Sequence, residues 1–133
     1  MECVSYGRNN TRADLENIFK TCDYVSLHVP LNDTTKGMID YSLMSIMKPT
    51  AFLVNCARGP IINQNDLLKA LEENKFQGAA LDVFETEPPF GSDHALSKSQ
   101  KVICTPHIGF NTEEALKTKG EISLDNICKY LNI

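Results

Sequence analysis

Apolar runs of strand length alternate with helix-periodic stretches along this chain, and that alternation restricts the fold more than any other feature of the sequence. Five such runs occur, at 2–6 (ECVSY), 23–29 (DYVSLHV), 51–57 (AFLVNCA), 78–83 (GAALDV) and 101–105 (KVICT). Their centres are dominated by Val, Ile, Leu, Ala and Cys, the composition of strands buried on both faces. Strand–helix alternation of this kind predicts an α/β fold, a doubly wound and mostly parallel sheet with helices on both faces.

The helical stretches show the expected period. Arg12 to Cys22 places Leu15, Ile18 and Phe19 on one face, and Asp40 to Met47 does the same with Leu43, Met44 and Met47. Met38, Met44 and Met47 read as core filler. Asn63 or Asn65 can cap a third helix, Asp66 to Asn74, whose apolar face is Leu67, Leu68 and Leu71. Thr112 is an N-cap for a last helix to Leu131, with Glu113 and Glu114 complementing the dipole and Gly120 expected to weaken or bend it. Breakers follow the strands: Pro30 to Asp33, Gly59-Pro60, Glu87 to Gly91 and Thr105-Pro106. In an open parallel sheet the ligand crevice lies beyond the carboxyl ends of the strands, so these loops fall on the functional edge.

Residues 1–133 fit one domain, and no second complete domain fits beside it. A formal net charge of -4, with lysines and arginines scattered, supplies no basic field for nucleic acid or for an anionic membrane. Five cysteines, Cys3, Cys22, Cys56, Cys104 and Cys128, show no C-x-x-C pair or metal spacing and read as reduced thiols. The start carries no basic and apolar leader, and no run approaches the ~20 apolar residues of a membrane span, so a cytoplasmic protein is expected.

Three of the strand ends carry one polar side chain each in a distinctive setting. Arg58 stands in Asn55-Cys56-Ala57-Arg58-Gly59, Glu87 closes Asp82-Val83-Phe84-Glu85-Thr86-Glu87, and His107 lies in Thr105-Pro106-His107-Ile108-Gly109. From Ala13 to Cys128 the chain resembles the nucleotide-binding domain of the D-isomer-specific 2-hydroxyacid dehydrogenases. The stretches that carry the resemblance are DYVSLHVPLNDTTKGMID, MKPTAFLVNCARGPIINQNDLLKAL, GAALDVFETEP and TPHIGF. It implies a catalytic set of Arg58, Glu87 and His107. It further implies that Asp82 meets the nicotinamide carboxamide of NAD, that Val29, Pro30, Thr34, Cys56 and Ala57 line the cofactor, and that His107 and Gly109 close the nicotinamide pocket.

The residue types suit that chemistry independently. Hydride transfer to or from a 2-hydroxy acid needs a group to exchange the hydroxyl proton, and histidine is the side chain that ordinarily titrates nearest neutrality. A carboxylate on its far ring nitrogen fixes the tautomer, and a substrate carboxylate asks for a planar, bidentate guanidinium. His28 and His94 have no such setting; they are expected at a strand end and on the surface.

The chain also departs from the family. No G-x-G-x-x-G turn, the cradle for a dinucleotide pyrophosphate, occurs in these 133 residues, and a substrate domain is missing. We therefore expect a partial Rossmann domain, the C-terminal portion of a dinucleotide-binding unit, that is catalytically silent alone. The strand before the fingerprint would sit between residues 2–6 and residues 23–29, so residues 2–6 are expected to slip into that slot, or the edge to pair with another copy as a homodimer. Gly7 and Arg8 stand where NAD users carry an acid, which implies a tilt toward NADP. Two other classes fit the same sequence: a corepressor-like binding and dimerisation module, and an inert truncated product.

Overall fold

The computed structural model describes residues 1–87 and 95–133. His94 and residues 88–91 of the breaker after Glu87 lie outside the described residues. Four parallel strands, β1 (Tyr24–Leu27), β2 (Phe52–Asn55), β3 (Gly78–Leu81) and β4 (Val102–Cys104), form one sheet in chain order. The register runs straight across the centre, Leu27 beside Asn55 and Asn55 beside Leu81, with Leu81 beside Cys104. The α/β class and parallel sheet follow the alternation read in the sequence.

Two expectations are corrected. Residues 2–6 form no strand, and among the described residues β1 is an outer edge of the sheet. Tyr6 is partly buried against the core, but its neighbours are exposed, so the run ECVSY has apolar character without a partner to pair with. Among the described residues the sheet is also covered on one face only. Strands laid down in chain order with right-handed crossovers leave every connection on the same side. Accordingly Val25, Leu27, Leu53, Ala79 and Leu81 are buried in a single core with residues of α1 (Arg12–Thr21), α2 (Tyr41–Ser45), α3 (Gln64–Glu72) and α4 (Ala95–Lys98). On the opposite face Tyr24, Ser26, Phe52 and Ile103 are exposed.

Caps set the helix starts. Thr11 and Asp14 form a reciprocal capping box at α1. Asn63, not Asn65, caps α3 by accepting from Asp66 N–H at 3.2 Å, and the Asp66 carboxylate accepts from Tyr41 N–H at 3.0 Å, tying α3 to α2. The short α4 had no counterpart in the sequence reading, because four residues cannot show a helical period. Met44 and Met47 are core residues as expected.

The last helix, α5 (Glu113–Leu131), is capped by Thr112 accepting from Ala115 N–H, yet none of its residues is buried. It runs unbroken through Gly120, where an added Cβ would meet nothing within 4 Å. Gly120→Ala is therefore expected to stabilise the helix by about 0.5–1 kcal/mol, seen as greater far-UV helical dichroism; an unchanged or weaker signal would show that the glycine serves a close contact.

Candidate active site

Three loops leave the carboxyl ends of the neighbouring strands β2, β3 and β4. After β2 the buried Asn55 closes a tight turn: its Nδ2 donates to the Arg58 carbonyl and its Oδ1 accepts from Ala57 N–H, both at 3.0 Å. The turn throws the Arg58 side chain outward, where Nη1 donates to the Ala57 carbonyl at 2.6 Å. Gly59 opens a short 3-10 turn with Pro60 behind it, and its Cα lies hard against the backbone of the next loop. A Cβ there would sit 1.9 Å from the Phe84 carbonyl carbon and oxygen. The Arg58 loop is thus pressed against the loop that carries Glu87.

In that second loop Glu85 accepts from Gln64 N–H at 3.1 Å, at the start of α3, which pins the chain between Asp82 and Glu87. Glu87 Oε1 accepts from Phe84 N–H at 2.9 Å, and its Oε2 lies 2.6 Å from His107 Nδ1. A carboxylate can only accept, so Nδ1 carries the proton in this pair and Nε2 is the ring nitrogen left for other chemistry. The Phe110 ring meets the imidazole edge to face, with centroids 6.0 Å apart.

His107 adopts a φ of 55°, the left-handed region that a non-glycine residue enters at a cost of about 1–2 kcal/mol. Asp82 holds it there. This buried carboxylate accepts from Thr105 Oγ1 at 2.5 Å, from Ile108 N–H at 2.9 Å and from Gly109 N–H at 2.8 Å, clamping the backbone on both sides of the histidine. Gly109 is required by the same clamp, since a Cβ would lie 2.9 Å from Asp82 Oδ2.

The electrostatics favour charge at both acids. Burial pushes the Asp82 carboxyl up, but the bonds from Thr105, Ile108 and Gly109 and the charge of His107 outweigh it, and the group lies below the ordinary aspartate value. Glu87 behaves alike: burial raises it, while the bonds from Phe84 and His107 and the charges of His107 and Arg58 bring it below the ordinary glutamate value. Burial alone raises the Cys104 thiol.

Arg58, Glu87 and His107 therefore meet on one rim. The remaining predicted positions have mixed roles. Val29 is partly buried after β1, and Pro30 offers its carbonyl to Thr35 Oγ1 at 2.6 Å. Thr34 gives its hydroxyl to Asn32 Oδ1 at 2.7 Å in the turn below. Cys56 is exposed and Ala57 partly so, beside Arg58. His28 is at a strand end as expected, 2.8 Å from Ser26 Oγ. The sequence reading missed Asn55, Gly59, Glu85 and Thr105. Only Asn55 and Gly59 left a signal, as the two ends of the turn that presents Arg58; Glu85 and Thr105 act through contacts distant in sequence. Among the described residues no group of His, Cys, Asp or Glu could hold a metal, and no helix is long and apolar enough to cross a membrane.

A parallel sheet with a guanidinium, a carboxylate-braced imidazole and a buried aspartate on its carboxyl rim defines a Rossmann-type nucleotide-binding domain. Residues 4–109 match the family model for the D-isomer specific 2-hydroxyacid dehydrogenase NAD binding domain, and the chain belongs to that family. It is 45% identical over 118 residues to the D-3-phosphoglycerate dehydrogenase of Methanocaldococcus jannaschii, covering 89% of this chain and 22% of that protein. To the glyoxylate reductase of Thermococcus litoralis it is 41% identical over 117 residues, covering 88% of this chain and 35% of the relative. The D-lactate dehydrogenase of Aquifex aeolicus, solved in complex with NAD and lactic acid, superposes with a TM-score of 0.77 at 31% identity over 89% of this chain and 40% of its own. The chain thus spans between about a fifth and two fifths of the length of these relatives.

Proposed function

We propose that this chain supplies the catalytic rim of an NAD(P)-dependent D-2-hydroxyacid dehydrogenase, which interconverts a 2-hydroxy acid and a 2-oxo acid. The observation that carries the reading is the 2.6 Å His107 Nδ1–Glu87 contact on the rim that also holds Arg58.

The rim suits the nicotinamide end of the cofactor. The Val29–Pro30–Thr34 loop, Cys56 and Ala57 follow adjacent strands, and Gly109 keeps the backbone beside His107 free of a side chain. Asp82 spends three of its roughly four acceptor positions on the His107 loop, so one stays open for a carboxamide N–H. When bound, the nicotinamide takes or gives the hydride at the substrate carbon. No residue here matches a pyrophosphate cradle, which supports weak dinucleotide binding and no turnover by the isolated chain.

The chain's own groups do the rest. Arg58 binds the substrate carboxylate through its planar fork and draws electron density from the C2 oxygen. His107 Nε2 holds or releases the proton of the C2 hydroxyl. Glu87 keeps Nδ1 protonated, so that Nε2 faces the substrate. Asp82 and Phe110 keep the ring in place.

The partner is a small 2-hydroxy or 2-oxo acid, handled in the cytoplasm by a homodimer, with no role for nucleic acid or membrane. A chimera in which residues 4–109 replace the corresponding segment of the Thermococcus glyoxylate reductase tests the reading. It is expected to reduce a 2-oxo acid with NADH or NADPH. Arg58→Lys in that background should raise KM for the oxo acid and lower kcat/KM by about 10²-fold or more, since a point charge cannot replace a bidentate fork. A folded, cofactor-binding chimera without turnover defeats the proposal. Better binding of NADP than of NAD would support Arg8 as a 2'-phosphate contact, and equal or better NAD binding removes it.

A further inference from the structure

The turn that presents Arg58 is a 3-10 stretch of three residues, Gly59–Ile61, too short to hold its own shape. Asn55 grips it from inside, and the loop after β1 grips it from outside. Gly37 N–H donates to the Pro60 carbonyl at 2.8 Å and Ile39 N–H to the Ile61 carbonyl at 3.1 Å, while Asn63 N–H returns to the Ile39 carbonyl at 3.0 Å. Ile39 and Ile62 pair there as a parallel bridge, both buried. Ile61 N–H in turn donates to the Arg58 carbonyl at 3.3 Å. Main-chain bonds therefore link residues 37–39 to the backbone of Arg58.

That outer loop is closed on itself by two side chains. Asn32 Oδ1 accepts from Thr34 N–H at 2.9 Å, from the Thr34 hydroxyl at 2.7 Å and from Thr35 N–H at 3.1 Å. The Thr35 hydroxyl donates to the Pro30 carbonyl at 2.6 Å and accepts from Asn32 N–H at 2.9 Å, so it ties the end of the loop back to its start. Gly37 follows in the left-handed region, with a φ of 65°, where the chain turns to meet Pro60.

We propose that Thr35 is a positioning residue for Arg58. Its hydroxyl fixes the loop that braces the Arg58 turn, and so sets where the guanidinium meets the substrate carboxylate. A bidentate fork works only when held to within about 0.5 Å of its partner, a demand that a loop-borne side chain meets through the backbone beneath it. The substrate's part in this rests on the dehydrogenase reading above; the brace itself does not.

Hydrogen exchange on the 133-residue chain tests the brace without turnover. Thr35→Val keeps the shape and removes the hydroxyl. The Gly37, Ile39 and Ile61 amides are expected to exchange about fivefold faster or more, with the β2 and β3 amides unchanged. Thr35→Ser keeps the hydroxyl and should restore protection. Unchanged rates in the valine variant overturn the proposal, as does a loss of protection spread evenly over the sheet. In the chimera carrying residues 4–109, Thr35→Val should raise KM for the oxo acid about fivefold and leave kcat within about twofold, with Thr35→Ser returning KM to the parent value. In the Arg58→Lys background, where the fork is already lost, the same valine should change KM by less than about twofold. Equal effects in the two backgrounds would mean that Thr35 does not act through Arg58, and the proposal fails. An unsubstituted chimera without turnover counts against the dehydrogenase reading alone, and the exchange rates of the free chain then decide the role of Thr35.

Discussion

Gly59→Ala is expected to prevent the folding of this chain or to destabilise it by more than about 4 kcal/mol, at the far end of what single substitutions do. The new methyl would sit 1.9 Å from both the carbonyl carbon and the carbonyl oxygen of Phe84 and 2.5 Å from Glu85 N. All three are main-chain atoms, so no rotamer change relieves the overlap, and the two loops have to part. Parting them undoes Asn55, which closes the first loop, and Glu85, which pins the second to the start of α3. Both loops bear side chains of the proposed site, so a variant that did fold would carry Arg58 and Glu87 out of register. Urea unfolding monitored by far-UV dichroism provides the measurement; a loss below about 1 kcal/mol would mean that the loops tolerate separation and do not fix the rim. Gly120→Ala, at an open position, is the internal control.

The same glycine shows how far the sequence could be read. Glycine after Arg58 was visible as a breaker, but its reason, a backbone from a different strand end resting on its Cα, lies 25 positions away in Phe84. The strand and helix pattern was legible because its signals are local: β1 to β4 and α1, α2 and α3 stand where apolar spacing put them, within a few residues, and α5 starts where its Thr112 cap put it. Residues 2–6 show the limit of that signal. Val4 and Tyr6 have strand-like character, but a strand exists only when its N–H and C=O groups find partners, and among the described residues no strand pairs with them. That the described helices lie on one face was not legible for a related reason. Local patterning says that a strand is apolar, whereas which face receives the helices is decided by chain order and crossover hand. At the rim, Arg58, Glu87 and His107 were legible through the motifs around them. That Asp82 would spend its carboxylate clamping the positive-φ turn of His107 was not, since three hydrogen bonds spanning more than twenty residues leave no local trace.

In the chimera with the Thermococcus enzyme, His107→Gln is expected to lower kcat by about 10²–10⁴, the usual range for losing a positioned acid–base group. Glutamine keeps the bulk and can still bond to Glu87, but it cannot exchange a proton with a hydroxyl. Glu87→Gln should cost less, about ten- to a hundredfold in kcat with little change in KM, because Glu87 acts on the substrate only through the ring. Its amide offers one oxygen to two donors, Phe84 N–H and His107 Nδ1–H, so one of them must face an NH₂ group. The pH profile separates this positioning role from a general loss of structure. With its folded value lowered, the Glu87 carboxylate contributes fully above the ordinary glutamate value of about 4.3, and its contribution is lost as the pH falls through the lowered value. The parent chimera should therefore keep its rate to a pH below the ordinary glutamate range before falling. The Asp82 carboxyl is also held below its ordinary value, but it clamps the loop in both proteins, so the ratio of the two rates isolates Glu87. That ratio should be constant above the ordinary glutamate range and shrink toward unity in acid, where the parent loses the charge the variant never had. A ratio of one at every pH would leave Glu87 no part in orienting His107.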